Sequence, residues 1–446
     1  MRILQLSTYD RAGGAEKVAF DLHNLYRKNG HDARMLVRFK RTTDNNISEV
    51  NVYQQTMRWA PLCSTIERHI RHFSRFRGRE RIIEWLRKIS LPQRWINQWQ
   101  GFENFNFPYS HNLLNDLDWC PDIIHAHNLH GDYFDLRALV NLSKRIPTIW
   151  TLHDAWALTG HCAHFVDIGC NRWRKGCGKC PDLKRYPGIR KDKTVDNWQR
   201  KRRIYFKSRL AVATPSRWLM DLVEQSMLYP YKKQIVPNGV DVSVFRPSDR
   251  NRVRNILNLP QNVFICMCIA QNVNKSNPFK DFATIEQAAR FLKLQSTSKQ
   301  VMIVCVGRSS APSEDPNIFY TGYIENPHKL AMYYQAADVM LHAAHAETFS
   351  LVLIEAASCG IPAITTAVGG IPELVVNGET GFLIAPGDSK SMAQRALKLI
   401  NQPDLCRKMG QSAVSRVQQT YNLNQQAETY LQWFEELRAL YKEFEL

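Results

Sequence analysis

The first half of the chain alternates short apolar runs with longer amphipathic stretches. MRILQLST predicts a buried strand, and GGAEKVAFDLHNLYRKNG predicts a glycine turn followed by a helix that ends near Asn29 and Gly30. PDIIHAH, PTIWTLHD and RLAVAT repeat the strand pattern, with helical stretches such as YFDLRALVNLSK between them. Strands that alternate with helices predict a parallel sheet covered on both faces.

A second alternation begins after a turn-rich connector, KQIVPNGVDVSVFRP. Its apolar runs NVFICMCIAQ, KQVMIVCVG, ADVMLHAAH and IPAITTA predict the strands of a second sheet. We therefore predict an α/β protein with two doubly wound, Rossmann-like domains facing a central cleft, over residues 1–240 and 241–425. Ligands of such sheets bind beside the carboxyl ends of the strands. Residues 426–446 predict an amphipathic helix that packs back on the first domain.

The composition is that of a folded globular protein. The chain has 446 residues, of which 44% are hydrophobic and 22% charged, enough for about two to four domains. No apolar stretch approaches the ~18 residues of a membrane-spanning helix, and the first residues lack the apolar core of a signal peptide. We therefore expect a cytoplasmic protein whose eleven cysteines are mostly buried in its cores.

The net charge of +18 predicts attraction to an anionic partner. Residues 58–94 form a basic insert in which arginines are mixed with Trp59, Phe73, Phe76 and Trp85. This mixture is typical of an interfacial segment on an anionic membrane; the alternative is a solvated insert that packs its aromatic residues on its own domain. A basic nucleic-acid-binding protein is a further alternative, but no nucleic-acid module is recognisable, so we expect no nucleic-acid partner.

One stretch, HAETFSLVLIEAASCGIPAITTAVGGIPELV at 345–375, places two carboxylates around a helix start. Glu347 follows the strand ADVMLHAA, and Ser350 is a candidate N-cap for the helix SLVLIEAAS. The helix N-terminus beside Glu347 suits an anionic phosphate, whereas Glu355, inside the helix, suits the vicinal hydroxyls of a ribose. Gly369 and Gly370 form a second turn that allows close backbone approach.

This stretch resembles the E-x7-E signature of the retaining, two-domain glycosyltransferases of family 4, which have the GT-B fold. Glu347 and Glu355 are the two glutamates of the signature. GGAE at 13–16, PDIIHAH at 121–127, VPNGVD at 236–241 and GYI at 322–324 match further marks of the family in order. The resemblance covers nearly the whole chain except the basic insert.

The resemblance implies roles for individual residues. Glu347 would contact the hydroxyls of the donor sugar or the developing positive charge, and Glu355 would hold the donor ribose. His127 matches a first-domain histidine near the reacting centre, and His153 in TLHD competes for that role because it also follows a strand. The positions assigned to the nucleotide-sugar donor are Gly13, Gly14, Lys280, Phe349, Ser350, Leu351, Glu355 and Gly370.

The chain departs from the family pattern at one position of the diphosphate site. Family members offer an arginine and a lysine after the first strand of the second domain. Lys280 matches the lysine, but Gln271 and Asn272 stand in the usual place of the arginine. We therefore expect that Lys280 and Lys275 neutralise the diphosphate alone, or that the diphosphate is held less tightly.

A cysteine-rich loop, residues 161–181, predicts a possible structural metal site. Four thiolates can form a closed tetrahedral zinc site, which would fold a loop too polar and glycine-rich to fold by itself. Free or partly buried thiols are the alternative, because the spacing is not that of a standard zinc ribbon. The candidate ligands are Cys162, Cys170, Cys177 and Cys180, with His161 and His164 nearby.

From the resemblance we expect a retaining glycosyltransferase of the hexosyltransferase type. It would move a sugar from a UDP- or GDP-sugar to a glycan or lipid-linked acceptor in polysaccharide, lipopolysaccharide or glycolipid biosynthesis, with no cofactor required for catalysis. We expect it in the cytoplasm, peripherally at the inner face of the cell membrane. A nucleotide-sugar epimerase and a phosphorylase on the same two-domain plan are the alternatives.

Overall fold

The computed structural model describes residues 1–50, 52, 59–73, 78–90, 92–115, 117–269, 278–295, 299–307 and 318–443. Residue contacts divide the chain into two units. Unit 1 comprises Met1–Thr214, Leu219–Ile235 and Thr429–Leu446, and unit 2 comprises Pro215–Trp218 and Val236–Glu428. Among the described helices, none has the length and apolar character needed to cross a bilayer.

Unit 1 is built on a parallel sheet in the order β3-β2-β1-β4-β5-β6-β7. Its central strands are buried along nearly their whole length, as expected when helices cover both faces. The strands are β1 (Arg2–Tyr9), β2 (Asp32–Phe39), β3 (Ile47–Glu49), β4 (Ile123–Ala126), β5 (Thr148–Thr151), β6 (Leu210–Thr214) and β7 (Lys232–Ile235).

Helices connect these strands, and the long gap between β3 and β4 holds the helices of the basic insert. The helices up to the second sheet are α1 (Gly14–Lys28), α2 (Ala60–Phe73), α3 (Arg79–Ser90), α4 (Pro92–Gln100), α5 (Tyr109–Asn112), α6 (Leu139–Arg145), α7 (Thr194–Lys207), α8 (Arg217–Glu224) and α9 (Arg250–Ile256).

Unit 2 repeats the same plan with a parallel sheet in the order β10-β9-β8-β11-β12-β13. The strands are β8 (Val263–Ile269), β9 (Gln300–Val306), β10 (Ile318–Gly322), β11 (Val339–His342), β12 (Ala363–Thr366) and β13 (Gly381–Ile384). The remaining helices are α10 (Phe282–Leu294), α11 (Pro327–Ala336), α12 (Leu351–Ser358), α13 (Ile371–Leu374), α14 (Ser389–Asn401), α15 (Pro403–Thr420) and α16 (Leu423–Glu443).

Alternate residues of β8 feed two separate hydrophobic clusters in unit 2. Ile265 and Met267 pack on one face of the sheet, and Cys266 and Cys268 pack on the other. Both faces are therefore covered, which explains why FICMCIA is a continuous apolar run. The expectation that most cysteines are core residues is confirmed, since six of the eleven are fully buried: Cys63, Cys266, Cys268, Cys305, Cys359 and Cys406.

The predicted fold class is confirmed, but some of its elements differ from the prediction. YFDLRALVNLSK contains a regular α-helix only over Leu139–Arg145, because Leu136–Ala138 forms a short 3-10 turn capped by Asp135. The edge strands β3, β7, β10 and β13 were not predicted, because each is only three to five residues long, and β7 includes the KQI that was interpreted as part of the turn-rich connector. In both units the loops at the carboxyl ends of the central strands carry the residues described next.

Candidate active site

In unit 2, the loop after β11 carries Glu347 beside a lysine. The Lys280 ammonium lies 2.5 Å from the Glu347 carboxylate, and the two side chains form an ion pair. Lys280 is held there by a backbone bridge between its own strand-like segment and Ala344. The Lys280 side chain is about half exposed, whereas that of Glu347 is mostly buried. The predicted sugar-binding carboxylate and the predicted diphosphate-binding lysine are thus brought together.

Gly369 and Gly370, which follow β12, pack against the backbone of this loop. Gly369 has a φ of +56°, and a Cβ atom there would lie 1.8 Å from the Glu347 carbonyl oxygen. The Gly370 N–H donates a hydrogen bond to the same oxygen at 3.2 Å. Only glycine fits at position 369, where its turn and the Glu347 loop approach this closely. The Gly370 N–H is therefore used within the protein, and a direct role for Gly370 in donor binding stays a prediction.

The N-terminus of α12 lies next to Glu347 in sequence and has the predicted cap. Ser350 is the N-cap residue, but its hydroxyl makes no capping hydrogen bond and lies 3.4 Å from Nε2 of His342. Burial lowers the pKa of His342 to about 3, so that this imidazole is neutral. Because the first N–H groups of a helix have no intrahelical acceptor, Ser350, Leu351 and their neighbours offer donors to an anion.

Glu355 lies one turn inside α12, where only 4% of the residue is exposed. Its Oε2 atom accepts a 2.9 Å hydrogen bond from the Tyr334 hydroxyl of α11. Burial, with the Glu355 carboxylate nearby, raises the pKa of Tyr334 well above its ordinary value, so that tyrosine remains a donor. An ordinary surface glutamate would be solvated, whereas this carboxylate is buried and oriented.

In unit 1, the ends of β4 and β5 carry a chain of neutral histidines. The Gln5 amide lies 3.3 Å from Nε2 of His127, and Nδ1 of His127 lies 3.1 Å from Nε2 of His153. Taking Gln5 as the donor places the His127 proton on Nδ1, from which it is donated to His153. Burial lowers the pKa of His127 well below its ordinary value and that of His153 to about 4.

The two candidate histidines differ in their access to solvent. His127 is 1% exposed and lies behind His153, which is half-buried. A second buried chain joins His125 to Thr151 and Thr151 to the Tyr430 hydroxyl, each at 2.8 Å. Of the two imidazoles, that of His153 is therefore the more accessible to solvent, and the catalytic role predicted for His127, with His153 as its competitor, stays a prediction.

A cavity of about 300 Å³ opens beside these strand ends in unit 1, at the lower limit of ~300 Å³ that small-molecule sites occupy. Nε2 of His130 donates a hydrogen bond to the Asp154 carboxylate at 2.8 Å. Burial disfavours both charges, but their attraction outweighs it: the pKa of His130 is raised and that of Asp154 is lowered to about 2. The walls include Phe102, Glu103, His130, Asp132, Trp156 and Tyr186.

Glu103, which lines this cavity, forms an ion pair with the buried Lys201. The Lys201 ammonium is fully buried and lies 2.9 Å from Glu103, 3.0 Å from the Trp156 carbonyl oxygen and 3.7 Å from the Trp156 ring centre. Breaking such a buried pair costs roughly 3–5 kcal/mol. We did not predict a functional role for His130, Asp154, Glu103 or Lys201 from the sequence. The one available signal concerned Asp154, which directly follows the candidate His153 in TLHD.

The predicted glycine turn of unit 1 begins α1, as expected. Gly13 is the N-cap residue, and its N–H donates to Oε2 of Glu16 at 3.1 Å. Oε1 of Glu16 in turn accepts from the Asn128 side chain at 3.2 Å. The helix N-terminus at Gly13 and Gly14 thus already has a carboxylate beside it, and their proposed contact with a diphosphate stays a prediction.

The cysteine-rich loop is packed around buried aromatic residues. Phe165 and Trp173 are buried with ring centres 5.0 Å apart, and Trp198 donates to the Trp173 carbonyl oxygen at 2.7 Å. The Arg185 guanidinium bonds both carboxylate oxygens of Asp167, at 2.8 and 3.0 Å. These contacts pack the loop, and its dependence on zinc for folding stays a prediction.

The four candidate zinc ligands lie on this loop, but not as a metal site. Burial raises the pKa of Cys162 and of Cys177 to about 12, and Sγ of Cys180 lies 3.3 Å from Nε2 of His161. Within the described ranges, no three His, Cys, Asp or Glu side chains are arranged to hold a metal ion. The thiols, including Cys170, therefore do not fit zinc in this arrangement, and the zinc site stays a prediction.

Part of the predicted diphosphate site cannot be compared with the structure. Gln271, Asn272 and Lys275 lie outside the described residues, as do Arg58 and Phe76 of the basic insert. Among the donor positions that are described, Lys280, Glu347, Ser350 and Leu351 lie around one loop, and Phe349 packs its ring 5.9 Å from that of Tyr421.

Two parallel α/β units, with carboxylates and a lysine beside a helix N-terminus in the second, define a glycosyltransferase of the GT-B class. The family model described as Glycosyltransferase Family 4 matches residues 12–244, and that described as Glycosyl transferases group 1 matches residues 288–416. The chain belongs to glycosyltransferase family 4, as the E-x7-E resemblance predicted.

Individual proteins agree with this assignment. The colanic acid biosynthesis glycosyl transferase WcaC of Escherichia coli is 25% identical over 378 residues, covering 82% of this chain and 83% of that protein. Sucrose-phosphate synthase from Thermosynechococcus elongatus has the same fold, with a TM-score of 0.65 at 18% identity over 99% of this chain and 100% of that chain. HepE of Anabaena, solved in complex with UDP, has a TM-score of 0.63 at 17% identity, covering 98% of this chain and 100% of that chain.

Proposed function

We propose that this glycosyltransferase is a retaining hexosyltransferase that moves a sugar from a nucleoside-diphosphate sugar to a glycan or lipid-linked acceptor. The observation that carries the proposal is the Glu347–Lys280 ion pair, which lies at the carboxyl end of β11 beside the start of α12. A mobile cation, a carboxylate and helix N–H donors are what a departing diphosphate and an oxocarbenium-like sugar require.

Three parts of the donor would each contact unit 2: its diphosphate, its sugar and its ribose. Its diphosphate would accept hydrogen bonds from the first N–H groups of α12 and draw the half-exposed Lys280 ammonium away from Glu347. The Glu347 carboxylate, released from this pair, would then face the donor sugar. The ribose hydroxyls would donate to the Glu355 carboxylate, whose orientation Tyr334 fixes.

The acceptor would bind to unit 1. The aromatic walls of the unit 1 cavity suit the apolar faces of a pyranose, and the charged His130–Asp154 pair suits its hydroxyls. His153, neutral and half-buried, would contact substrate with His127 behind it. We place this activity in surface polysaccharide or glycolipid biosynthesis, with the enzyme on the cytoplasmic side of the membrane.

A thermal-shift experiment tests the donor proposal. UDP is the first nucleotide to add, since HepE is solved with it, followed by GDP, ADP and CMP. Ligand at ~100 times its dissociation constant adds about 2.7 kcal/mol to stability, so one nucleoside diphosphate should raise the melting temperature of the wild type and raise that of Glu355→Gln by less. No shift with any nucleotide, or an equal shift in the variant, contradicts the proposal.

Retention is tested on the product. The anomeric proton of the new glycosidic bond, observed by NMR, should show the same configuration as in the donor. Inversion would overturn the retaining assignment. Turnover of the nucleotide sugar without any acceptor would instead indicate an epimerase, and dependence on free phosphate would indicate a phosphorylase.

A further inference from the structure

The helices of the basic insert expose apolar side chains on one face although their other face is already packed. In α3, Ile83 and Leu86 are buried, whereas Ile82 and Ile89 are exposed and the Trp85 residue is 61% exposed. The exposed three recur at the spacing of one helix face. Burial within the protein therefore accounts for only one of the two apolar faces of α3.

Helix α2 and the residue before it repeat this arrangement. Trp59, Leu62 and Ile66 are exposed at the same spacing, while Cys63 is buried on the opposite side. The Trp59 indole N–H donates to the Ile89 carbonyl oxygen at 3.1 Å, which ties the start of α2 to the end of α3. The two exposed faces thus belong to one packed helical pair.

Helix α4 links this pair to the cavity of unit 1. Its Trp95, Ile96 and Trp99 side chains are exposed. On the same helix, Arg94 forms an ion pair with Asp132 of the cavity wall, and Gln98 lines the cavity. We use the name tryptophan face for nine exposed apolar side chains: Trp59, Leu62, Ile66, Ile82, Trp85, Ile89, Trp95, Ile96 and Trp99.

The charge of the insert decides what the tryptophan face can contact. Residues 58–94 contain ten Lys or Arg and three Asp or Glu, a net charge of +7. Two copies of a segment with this net charge repel each other, and an exposed apolar patch of this kind is unusual for a monomer. Tryptophan with arginine is the composition of segments that lie in the headgroup region of an anionic bilayer.

We propose that the tryptophan face is a membrane-binding surface that inserts its side chains into the headgroup region of an anionic lipid bilayer. It deepens the proposed function, because α4 would then present the unit 1 cavity to an acceptor held in that bilayer. Binding itself requires neither donor nor acceptor, so the experiment below does not depend on the transfer reaction.

The test is co-sedimentation of the full chain with vesicles of phosphatidylcholine alone or with 30% phosphatidylglycerol. We expect at least about 100-fold tighter binding to the anionic vesicles, falling steeply as salt is raised, since each nearby Lys or Arg adds to the attraction. The double variant Trp85→Ser/Trp95→Ser should lose about 10-fold of this binding. Its matched control is Phe206→Ser/Tyr229→Ser, which changes two exposed aromatics of unit 1 outside the insert.

Quenching by bromine-labelled lipid gives a second readout of insertion. Wild-type tryptophan fluorescence should be quenched by anionic vesicles, and the double variant should lose most of that quenching while melting at the wild-type temperature. No binding by the folded wild type, or equal loss in both double variants, overturns the proposal. Concentration-dependent dimerisation that only Trp85→Ser/Trp95→Ser abolishes, without vesicle binding, also overturns it and assigns the face to a second copy of the chain.

Discussion

The two units place their candidate residues at the same edge of the same kind of sheet, but with opposite electrostatic character. In unit 2 the strand-end loop carries the Lys280–Glu347 ion pair, and its backbone is pinned by glycine. In unit 1 the strand ends carry His127 and His153, whose pKa values burial lowers, beside an aromatic cavity. In such sheets the strand ends are where ligands bind, and under the proposed function the side chains there would decide whether the ligand is an anion or a neutral sugar.

The largest effect should come from removing the charge at the centre of the unit 2 site. Glu347→Gln keeps the shape of the side chain and one acceptor oxygen, but the neutral amide cannot stabilise a developing positive charge. We expect kcat to fall by about 10²–10³-fold, with little change in melting temperature because a partly exposed ion pair contributes about 0–1 kcal/mol. A variant within tenfold of wild type would mean that the charged site of unit 2 is not where the sugar reacts.

The next effect tests whether the unit 2 loop depends on its glycine turn. Gly369→Ala adds a Cβ where the Glu347 carbonyl oxygen leaves no space, at a φ of +56°. We expect a loss of about 2–4 kcal/mol in unfolding free energy, measured by urea denaturation.

The matched control is Gly378→Ala. Gly378 also has a positive φ, +84°, but nothing lies within 4 Å of the added Cβ. Its cost should be only the ~1 kcal/mol of the left-handed backbone. Equal losses in the two variants would show that backbone conformation, and not the contact with the Glu347 loop, makes Gly369 necessary.

A smaller effect is expected at the buried carboxylate of α12. Glu355→Gln should weaken nucleoside-diphosphate binding by about 10- to 100-fold, the value of a hydrogen bond to a charged group, with kcat at saturating donor nearly unchanged. Isothermal titration with the nucleotide identified by thermal shift measures it. Tyr334→Phe is the control, since it removes the internal hydrogen bond and leaves the carboxylate in place. A variant that lost kcat but bound the nucleotide as tightly as the wild type would show that Glu355 does not bind the donor.

The sequence predicted the unit 2 site better than the unit 1 site for a physical reason. Glu347, Ser350 and Glu355 lie within one strand-loop-helix segment, so their spacing encodes their arrangement directly. The Lys201–Glu103 pair joins residues 98 positions apart, and no local pattern predicts such a partner. Gly370 shows the intermediate case: the turn was predicted, but its contact with the Glu347 carbonyl oxygen depends on how two loops cross.

The unit 1 cavity also has ion pairs in its wall, and the stability contributed by the His130–Asp154 pair should depend on pH. The pKa of Asp154 is lowered from 3.8 to about 2, so its stabilisation is present above pH 4 and is lost as the pH falls through that interval. The pKa of His130 is raised above 6.5, so its stabilisation is present below pH 6.5 and is lost as the pH rises through the raised value. The pair therefore stabilises the fold most between about pH 4 and 6.5.

Asp154→Asn should lower the unfolding free energy by about 1–3 kcal/mol at pH 6, and the difference from wild type should shrink at pH 9. The control is Asp21→Asn, which breaks a surface pair with Lys17 and should cost less than about 0.5 kcal/mol at either pH. Urea denaturation at both pH values gives the comparison. A loss that is the same at pH 6 and pH 9 would show that Asp154 acts without a charged His130.

Metal removal should have the smallest effect, and it tests whether unit 1 depends on an ion at all. The cysteine-rich loop is packed by the buried rings of Phe165 and Trp173, whose centres lie 5.0 Å apart. We therefore expect that dialysis against EDTA leaves the melting temperature unchanged within about 1 °C, since the loop loses no packing. About one zinc per chain in the purified protein, with a melting temperature that falls on chelation, would instead support the four-cysteine site.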